Sequence, residues 1–410
     1  MNCRHCGNLL HHPFIDLGNA PPSNAYLTER TLHAPETWYP LRILVCENCW
    51  LVQTEDFVSH DELFNDNYGY FSSLSSTWLS HAERYVTDMK ARFDLDQSKR
   101  VVEVAANDGY LLQYVLRAGV EAYGIEPTGS TARAARNKGI DIVEAFFGEH
   151  LARQLAAAGR QGDLIVANNV LAHVPNINDF LRGFTRLLKR NGVATFEFPH
   201  LLEMILGNQF DTVYHEHFSY LSLITVKRIF EANGLIIFDV EKLSTHGGSL
   251  RVFAQRRDYG AAAISPTVAK LLSEEEAAGV SNISFYQTFQ RKAEKIKDEL
   301  LAYLSNAKCR GLKLAGYGAA AKGNTLLNFA GIRPDLLPYV VDKSPAKCGK
   351  FMPGSKIPIV DEKILRNQRP DIVFIIPWNI KDEIQEHLKY TGEWGARIMT
   401  CNPGIGVKLH

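Results

Sequence analysis

A regular alternation of strand-like and helix-like segments begins at residue 100 and limits the possible folds more than any other feature. Strands are predicted, with amphipathic helices between them, in "RVVEVAAN", "EAYGIEP", "DIVEAFF", "GDLIVAN" and "GVATFEFPH". Such alternation favours a mostly parallel sheet covered on both faces. The stretch "GLIIFDVEKLSTHGGSLRVFAQRR" indicates two strands around a Gly-rich turn, a hairpin that closes the sheet. We therefore expect a doubly wound, Rossmann-like α/β domain.

A second α/β unit is predicted from residue 311, where "GLKLAGYGAAAKGNTLLNFAG" begins. Residues 265–308 lack the alternation and predict a connector of one broken helix or two helices. Within the connector, the Glu run 274–276 is interpreted as a solvated face. We divide the chain into residues 1–56, 57–258 and 259–410, and the last of these includes the connector.

Four of the seven cysteines form two Cys-x-x-Cys pairs, "CRHC" and "CENC". Two such pairs predict a tetrahedral Zn²⁺ site, although the 39 residues between them, 7 to 45, exceed the common ribbon spacing. Four thiolates leave no open position for chemistry, so the zinc should be structural. The small N-terminal module would be held together by this metal. The predicted ligands are Cys3, Cys6, Cys46 and Cys49; Cys309, Cys348 and Cys401 are expected to be small core residues.

The charge balance argues against several classes of partner. Lys plus Arg and Asp plus Glu both total 45 in 410 residues, so electrostatics gives no reason to expect nucleic acid or an anionic membrane. There is no apolar run of about 18 residues and no signal-peptide pattern, and we expect a cytoplasmic protein. Each active site could be complete in one chain, so we expect a monomer.

The turn after the first strand of the alternating region predicts a cofactor site. It contains Asn107, Asp108 and Gly109, one glycine where dinucleotide-binding turns carry three to admit a pyrophosphate. About 20 residues on, Glu126 ends the next strand, in position to accept hydrogen bonds from ribose hydroxyls. A ligand with a ribose but no phosphate fits both features, and we predict S-adenosylmethionine. The predicted cofactor-binding residues are Glu103, Asn107, Asp108, Gly109, Glu126, Pro127 and Asn168.

The densest run of acid–base side chains is "DTVYHEHFSYL", residues 211–221. It contains His215, Glu216 and His217, with Tyr214 before them, and lacks the two-residue gap of an H-E-x-x-H zinc helix. In a regular strand Glu216 and His217 would face opposite sides, so a shared site would require a turn or an irregular loop.

The C-terminal unit supports a different hypothesis. Gly316, Gly318 and Ala321 fit G-x-G-x-x-A after a strand, and Asp342 ends the next strand. On spacing alone this is a nicotinamide dinucleotide site, and an NAD-dependent nucleotide-sugar oxidoreductase is the alternative function. A zinc-bearing binding module without catalysis would leave the acid–base run unexplained.

The chain resembles the sugar C-methyltransferases of deoxysugar biosynthesis over nearly its whole length. The resemblance rests on the paired Cys-x-x-Cys module and on the blocks "VVEVAANDGYLL", "NNVLAHV", "YHEHFSYLS", "HGGSLRVF", "GYGAAAKGNTLLN", "VDKSPAKCGKFMPG" and "PWN". It implies a middle domain that binds S-adenosylmethionine and a C-terminal domain that binds a nucleotide-diphosphate sugar, with dTDP or GDP as the nucleotide. The substrate would be a 4-keto-6-deoxy sugar deprotonated at C3, because a sugar C–H becomes acidic only beside a carbonyl.

The same resemblance implies roles for individual residues. His217 would be the general base, with Tyr214 and Glu216 beside it. His173 would be a further active-site residue, and Tyr68 would lie near the reacting centre, with Tyr70 as its rival. Lys322 or the adjacent helix N-terminus would lie beneath the diphosphate. The predicted substrate-binding residues are His246, Gly316, Gly318, Lys322, Asn324, Asp342, Trp378 and Asn379.

Overall fold

The structure is a computed structural model that describes residues 1–55, 57 and 71–401, together with the backbone of 406–409. The strands are β1 (His12–Ala20), β2 (Tyr39–Val45), β3 (Val52–Thr54), β4 (Arg100–Val104), β5 (Glu121–Ile125), β6 (Asp141–Val143), β7 (Gly162–Asn168), β8 (Leu188–Pro199), β9 (Ser219–Tyr220), β10 (Leu235–Leu243), β11 (Ser249–Arg256), β12 (Leu314–Tyr317), β13 (Val340–Val341), β14 (Ile359–Val360), β15 (Ile372–Ile375), β16 (Arg397–Thr400) and β17 (Gly406–Leu409).

The helices among the described residues lie mainly between these strands. They are α1 (Ser76–Arg92), α2 (Leu112–Arg117), α3 (Gly129–Asn137), α4 (Glu149–Ala157), α5 (Ile177–Leu187), α6 (Leu201–Leu206), α7 (Leu223–Ala232), α8 (Pro266–Ala278), α9 (Ile283–Tyr286), α10 (Phe289–Cys309), α11 (Ala321–Phe329), α12 (Lys363–Gln368) and α13 (Lys381–His387). None of them combines enough length with enough apolar residues to cross a bilayer.

The middle of the chain forms a seven-stranded sheet in the order β10-β11-β8-β7-β4-β5-β6. Strands β4 to β8 pair in parallel, whereas β10 and β11 form an antiparallel hairpin that joins the edge of β8. This confirms the predicted doubly wound layout and its closing hairpin. The carboxyl ends of β4 and β7 are neighbours at the centre of the sheet, the usual place for a ligand in such folds.

The C-terminal region forms a second α/β sheet in the order β14-β13-β12-β15-β16-β17, parallel except for the last pair. Helix α11 begins directly after the turn that follows β12, as a Rossmann-like unit requires. The predicted C-terminal α/β domain is therefore confirmed.

The N-terminal module has its own small sheet but shares its hydrophobic core with both larger regions. The sheet has the order β1-β2-β3-β9, and β9 comes from the middle of the chain. Leu10 and Leu51 pack in the core of the seven-stranded sheet, whereas Phe14 and Ile15 pack with the connector helices and the C-terminal sheet. The module therefore lies against both α/β regions, and the exact domain boundaries stay a prediction.

The connector consists of three helices, α8 to α10, whereas the sequence predicted one broken helix or two. It also corrects the interpretation of the glutamate run. Glu275 has no exposed surface, so the solvated-face interpretation of residues 274–276 is wrong at this position. The Glu275 carboxylate accepts hydrogen bonds from the first amides of α7, Leu223 N at 2.7 Å and Ile224 N at 2.8 Å, and pairs with Nε2 of His200 at 2.7 Å. These donors compensate for the burial of its charge.

Candidate active site

The acid–base run forms a tight turn that fixes the tautomer of His217. The amide of His217 donates to the carbonyl of Tyr214 at 2.9 Å, so residues 214–217 are a turn and not a strand. Nδ1 of His217 lies 2.8 Å from the carbonyl oxygen of Thr212. A carbonyl can only accept, so Nδ1 carries the proton and Nε2 is left with a lone pair. Nε2 lies 2.7 Å from the hydroxyl of Tyr214, which donates to it.

His173 lies against His217, although the two are 44 positions apart in the sequence. Their ring centroids are 4.7 Å apart and the rings meet edge to face at 68°. Burial lowers the pKa of His173 to about 4. Burial, with a smaller electrostatic contribution from the nearby His173 ring, lowers the pKa of His217 well below its usual value. Both rings are therefore neutral at pH 7, the state that a general base needs.

Glu216 is buried, and its carboxylate makes its contact with the N-terminal module. Oε1 accepts a hydrogen bond of 2.6 Å from the side-chain amide of Asn24. Burial raises the pKa of Glu216 to about 7, and the bond from Asn24 opposes this shift. The backbone of Glu216 is hydrogen-bonded to His173. Glu216 thus joins the histidine pair through its main chain, and its catalytic role stays a prediction.

The C-terminal sheet brings a lysine and a tryptophan to the same region. Nζ of Lys322 is buried, lies 4.9 Å from the ring centroid of Trp378 and has no hydrogen-bond partner among the described residues. Nε1 of Trp378 donates to the Asp211 carboxylate at 2.6 Å. Burial lowers the pKa of Lys322, an effect that Asp211 opposes, and the lysine charge contributes to the lowered pKa values of His217 and His246. A positive charge thus lies close to the histidines.

His246 lies on a strained turn that borders both sheets. Its φ is +56°, and the side-chain amide of Asn169 lies 3.3 Å from Nε2. Burial lowers its pKa to about 4. A Cβ at the next residue, Gly247, would approach the Trp378 ring to 2.5 Å, so glycine is required for this close contact.

The remaining predicted substrate residues form the framework of the C-terminal turn. Gly318 has φ +91°, and a Cβ there would approach Pro377 to 2.5 Å. The Asp342 carboxylate accepts from the amide of Ala319 at 2.8 Å. Asn324 is buried and donates to the carbonyl of Ser23. Gly316 is in β12, and Asn379 is partly buried beside Trp378.

Buried polar side chains lie at the carboxyl ends of β4 and β7. Both polar side-chain atoms of Asn168 have no hydrogen-bond partner within the described part of the chain, whereas the Glu103 carboxylate interacts with the side chain of Tyr110 and the backbone of Leu112. Burial raises the pKa of Glu103 well above its usual value. A bound ligand with several hydrogen-bonding groups would satisfy the Asn168 amide, because unpaired buried polar groups are costly. The residues therefore fit S-adenosylmethionine.

Glu126 connects two turns at the same edge. Its carboxylate accepts from the amides of Asn107 at 2.8 Å and Thr128 at 2.9 Å, and from the Thr131 hydroxyl at 3.1 Å. Burial raises its pKa, and these bonds oppose the shift. The Thr128 hydroxyl is a fourth donor, so a ligand that binds this carboxylate would have to share an oxygen with these groups. Pro127, the next residue, is half-buried.

Two predicted residues of the cofactor turn have roles within the protein. The Asp108 carboxylate contacts the Ser73 hydroxyl and Nζ of Lys138, the latter at 3.3 Å. Gly109 has φ +74°, and a Cβ there would approach Cδ1 of Ile140 to 2.2 Å. The cofactor contacts predicted for these two positions stay predictions.

The four predicted zinc ligands form one cluster. The sulfur atoms of Cys3, Cys6, Cys46 and Cys49 all lie within 4.8 Å of one another. A tetrahedral zinc site with Zn–S bonds of about 2.3 Å places its sulfurs roughly 3.8 Å apart, so the cluster fits the ion. Gln53 donates to the sulfur of Cys3 at 3.2 Å, a contact that would orient this ligand.

The predictions for the loop tyrosines and for the three single cysteines were not all confirmed. Tyr68 and its rival Tyr70 lie outside the described residues. Cys401 is buried as expected and Cys348 is partly exposed, but Cys309 is exposed, so the core interpretation of Cys309 is wrong.

Some residues of the site were missed in the sequence. Asp211 and Thr212 lie within the acid–base run and could have been singled out by position. Asn169 follows the predicted Asn168 directly. Asn24 has no local signal, because only the tertiary structure brings it to Glu216.

Three family models match successive parts of the chain. "Putative zinc binding domain" matches residues 3–64, "Methyltransferase domain" matches residues 78–239 and "C-methyltransferase C-terminal domain" matches residues 244–403. These matches agree with the cysteine cluster and with the two α/β sheets.

Individual relatives cover different shares of the chain. C-methyltransferase NovU of Streptomyces niveus is 31% identical over 403 residues, which are 98% of this chain and 95% of NovU. Ubiquinone biosynthesis O-methyltransferase of Azorhizobium caulinodans is 25% identical over 95 residues, 23% of this chain and 38% of that protein. A solved S-adenosylmethionine-dependent methyltransferase of Clostridium acetobutylicum has a TM-score of 0.36 and 13% identity, and the match covers 45% of this chain and 92% of that one.

Proposed function

The chain belongs to the family of sugar C-methyltransferases, and from that premise we propose that it methylates C3 of a nucleotide-linked 4-keto-6-deoxy sugar. The reaction would be a step of deoxysugar biosynthesis. The observation that carries this proposal is the buried pair His173–His217, in which Nε2 of His217 is an acceptor and both rings are neutral. Carbon methylation requires a carbanion, and such a base supplies it.

His217 is the base in this proposal. The C3–H bond breaks, its proton goes to Nε2, and its electron pair forms an enolate whose charge lies on the C4 oxygen. Bound S-adenosylmethionine supplies the methyl group that the carbon accepts. The Thr212 carbonyl keeps Nδ1 protonated throughout, so Nε2 alone takes the proton and later releases it.

Tyr214 serves as a donor to the developing charge. Its hydroxyl occupies the lone pair of Nε2 in the free protein, so the substrate C–H must displace it. The displaced hydroxyl then donates to the enolate oxygen, where a hydrogen bond is stronger in the transition state than in the ground state. His173 holds its ring against His217 and keeps water from the base.

Lys322 and the N-terminus of α11 bind the diphosphate of the substrate. The buried ammonium of Lys322 has no hydrogen-bond partner in the described part of the chain, and helix N-termini favour anions. Trp378 lies beside the Lys322 ammonium and, through Asp211, connects the C-terminal sheet to the segment that carries His217. Sugar and methyl donor would therefore meet between the two sheets.

The test is incubation of the protein with S-adenosylmethionine and a panel of dTDP- and GDP-linked 4-keto-6-deoxy sugars. We expect one member to gain about 14 mass units, with the new methyl at C3 by NMR. Methylation at oxygen, or turnover that needs NAD and not S-adenosylmethionine, would contradict the proposal and favour the oxidoreductase alternative. The nucleotide, the cytoplasmic location and the monomeric state stay predictions.

A further inference from the structure

The long spacer between the two cysteine pairs carries a segment into the centre of the molecule. Residues 21–28, called the arm below, follow β1 and lie against the C-terminal sheet. Leu27 pairs with Phe351 as an antiparallel bridge, with N···O distances of 3.0 and 2.8 Å. Asn324 donates to the carbonyl of Ser23, and the Tyr26 hydroxyl donates to the carbonyl of Ala319 at 2.7 Å. The arm is thus docked along its length.

The tip of the arm contacts the turn that holds the base. The Asn24 side-chain amide donates to the Glu216 carboxylate at 2.6 Å, and only 3% of Glu216 is exposed. Glu216 also holds His173 through its backbone, and His217 is the next residue. A shift of Glu216 would therefore displace both histidines.

From this geometry we propose that Asn24 is a positioning residue of the active site, which holds the Glu216 carboxylate and with it the turn 214–217. This inference rests on the proposed function. The inference also explains the long spacer between the cysteine pairs, since the zinc ligands anchor both ends of the segment that carries Asn24. Nothing local in the sequence marks this residue.

The charge of Glu216 depends on this contact. Burial favours the protonated acid, whereas the bond from Asn24 favours the carboxylate. The other titratable groups nearby are Tyr26 on the arm and His173, with Asp342 and Lys347 behind Tyr26 on the C-terminal sheet. Tyr26 and His173 are both neutral near pH 7, because burial raises the pKa of Tyr26 and lowers that of His173. The hydrogen bond from the Asn24 amide therefore opposes the rise in the pKa of Glu216 that burial causes.

The experiment compares the pH dependence of kcat/KM in wild type, Asn24→Leu and Tyr26→Phe. Asn24→Leu removes the donor at similar volume, so the pKa of Glu216 rises and the acid limb should move up by about one pH unit. Activity at pH 7 should fall roughly fivefold and recover above about pH 9, while the affinity for S-adenosylmethionine stays within about twofold of wild type. Tyr26→Phe removes one hydrogen bond of the arm, that to the Ala319 carbonyl, and leaves the Asn24–Glu216 bond in place, so the midpoints of its profile should match wild type.

A second variant guards against a folding defect. Asn24→Asp keeps the shape but places a second carboxyl against Glu216, so its acid limb should lie at least as high as that of Asn24→Leu. A uniform loss of activity at all pH values in both variants, or a shift of the alkaline limb alone, would show a merely structural role and overturn the inference. If the wild type turns over substrate and the pH profiles of the variants are not shifted, only the role of Asn24 is contradicted. If the wild type itself does not turn over substrate, the proposed function is contradicted as well.

Discussion

His217 differs from its neighbour His215 in what its ring contacts. His217 has one nitrogen held by Thr212 and the other directed at Tyr214, whereas Nε2 of His215 lies 3.3 Å from the carbonyl of Pro40. We expect His217→Asn to bind both ligands normally and to lose about 10²–10⁴-fold in kcat, because an amide cannot take the proton. Exchange of the C3 hydrogen with deuterated water should fall in parallel.

The control for this variant is His215→Asn, which removes a histidine two positions away and should keep near-normal turnover. Since burial lowers the pKa of His217, the base stays neutral well below pH 6.5, and its protonation should not limit kcat at neutral pH. If His217→Asn turns over normally and His173→Asn is inactive, the base is His173 and the turn only shapes the pocket.

Glu126 should be the principal charged contact of the cofactor. We expect Glu126→Gln to weaken S-adenosylmethionine binding by roughly 1.5–3 kcal/mol in calorimetry, the usual loss for hydrogen bonds to a charged group. Glu121→Gln is a matched control, because Glu121 begins the strand that Glu126 directly follows and has 58% of its side chain exposed. Equal affinities of the two variants would contradict the assignment.

Residue chemistry could be predicted from the sequence where it depended on neighbours in the chain. The cysteine pairs and the 214–217 run were evident because their members are close together. The direction of the Glu216 side chain could not be predicted from the sequence, because it depends on Asn24, which is 192 positions away. The contact between His173 and His217 follows from tertiary packing, in which the amide of Phe218 donates to the carbonyl of Ala172 at 2.8 Å. No local pattern encodes this contact.

At the scale of helices, the connector contributes a buried carboxylate, that of Glu275, which stabilises the start of α7. Removing Glu275 would leave two amides of α7 and His200 unpaired in the core. We expect Glu275→Ala to lower the free energy of unfolding by about 3–5 kcal/mol in denaturant titrations. Glu274→Ala, which removes an exposed partner of Lys242, should unfold like wild type. Similar losses in both variants would contradict this.

The strands and helices of the two sheets were predictable because the hydrophobic periodicity of each element is a local property of the sequence. The alternation from residue 100 and the hairpin at β10–β11 were predicted from this periodicity. The glutamate run shows the limit. Residues 274–276 are chemically identical, and Glu275 alone faces inward because the helix places it opposite His200 and the start of α7.

The three regions of the molecule share their cores, so the zinc site should stabilise more than the N-terminal module. Cys46 and Cys49 are buried in the core of the seven-stranded sheet, and β3 pairs with β9 just after the turn that carries His217. Loss of the metal should therefore loosen both the arm and that turn. The whole chain, not a detached module, should respond.

We expect wild-type protein to contain about one zinc per chain, and Cys46→Ser to lose it and several kcal/mol of stability. Because the cores are continuous, unfolding of the variant should remain one cooperative transition at a lower denaturant midpoint, and methyl transfer should fall with the zinc content. Cys309→Ser, at an exposed cysteine outside the cluster, is the control and should match wild type. Wild-type protein without zinc would contradict the site. An unchanged midpoint in Cys46→Ser would instead show that the packing of the module, and not its metal, holds the arm in place.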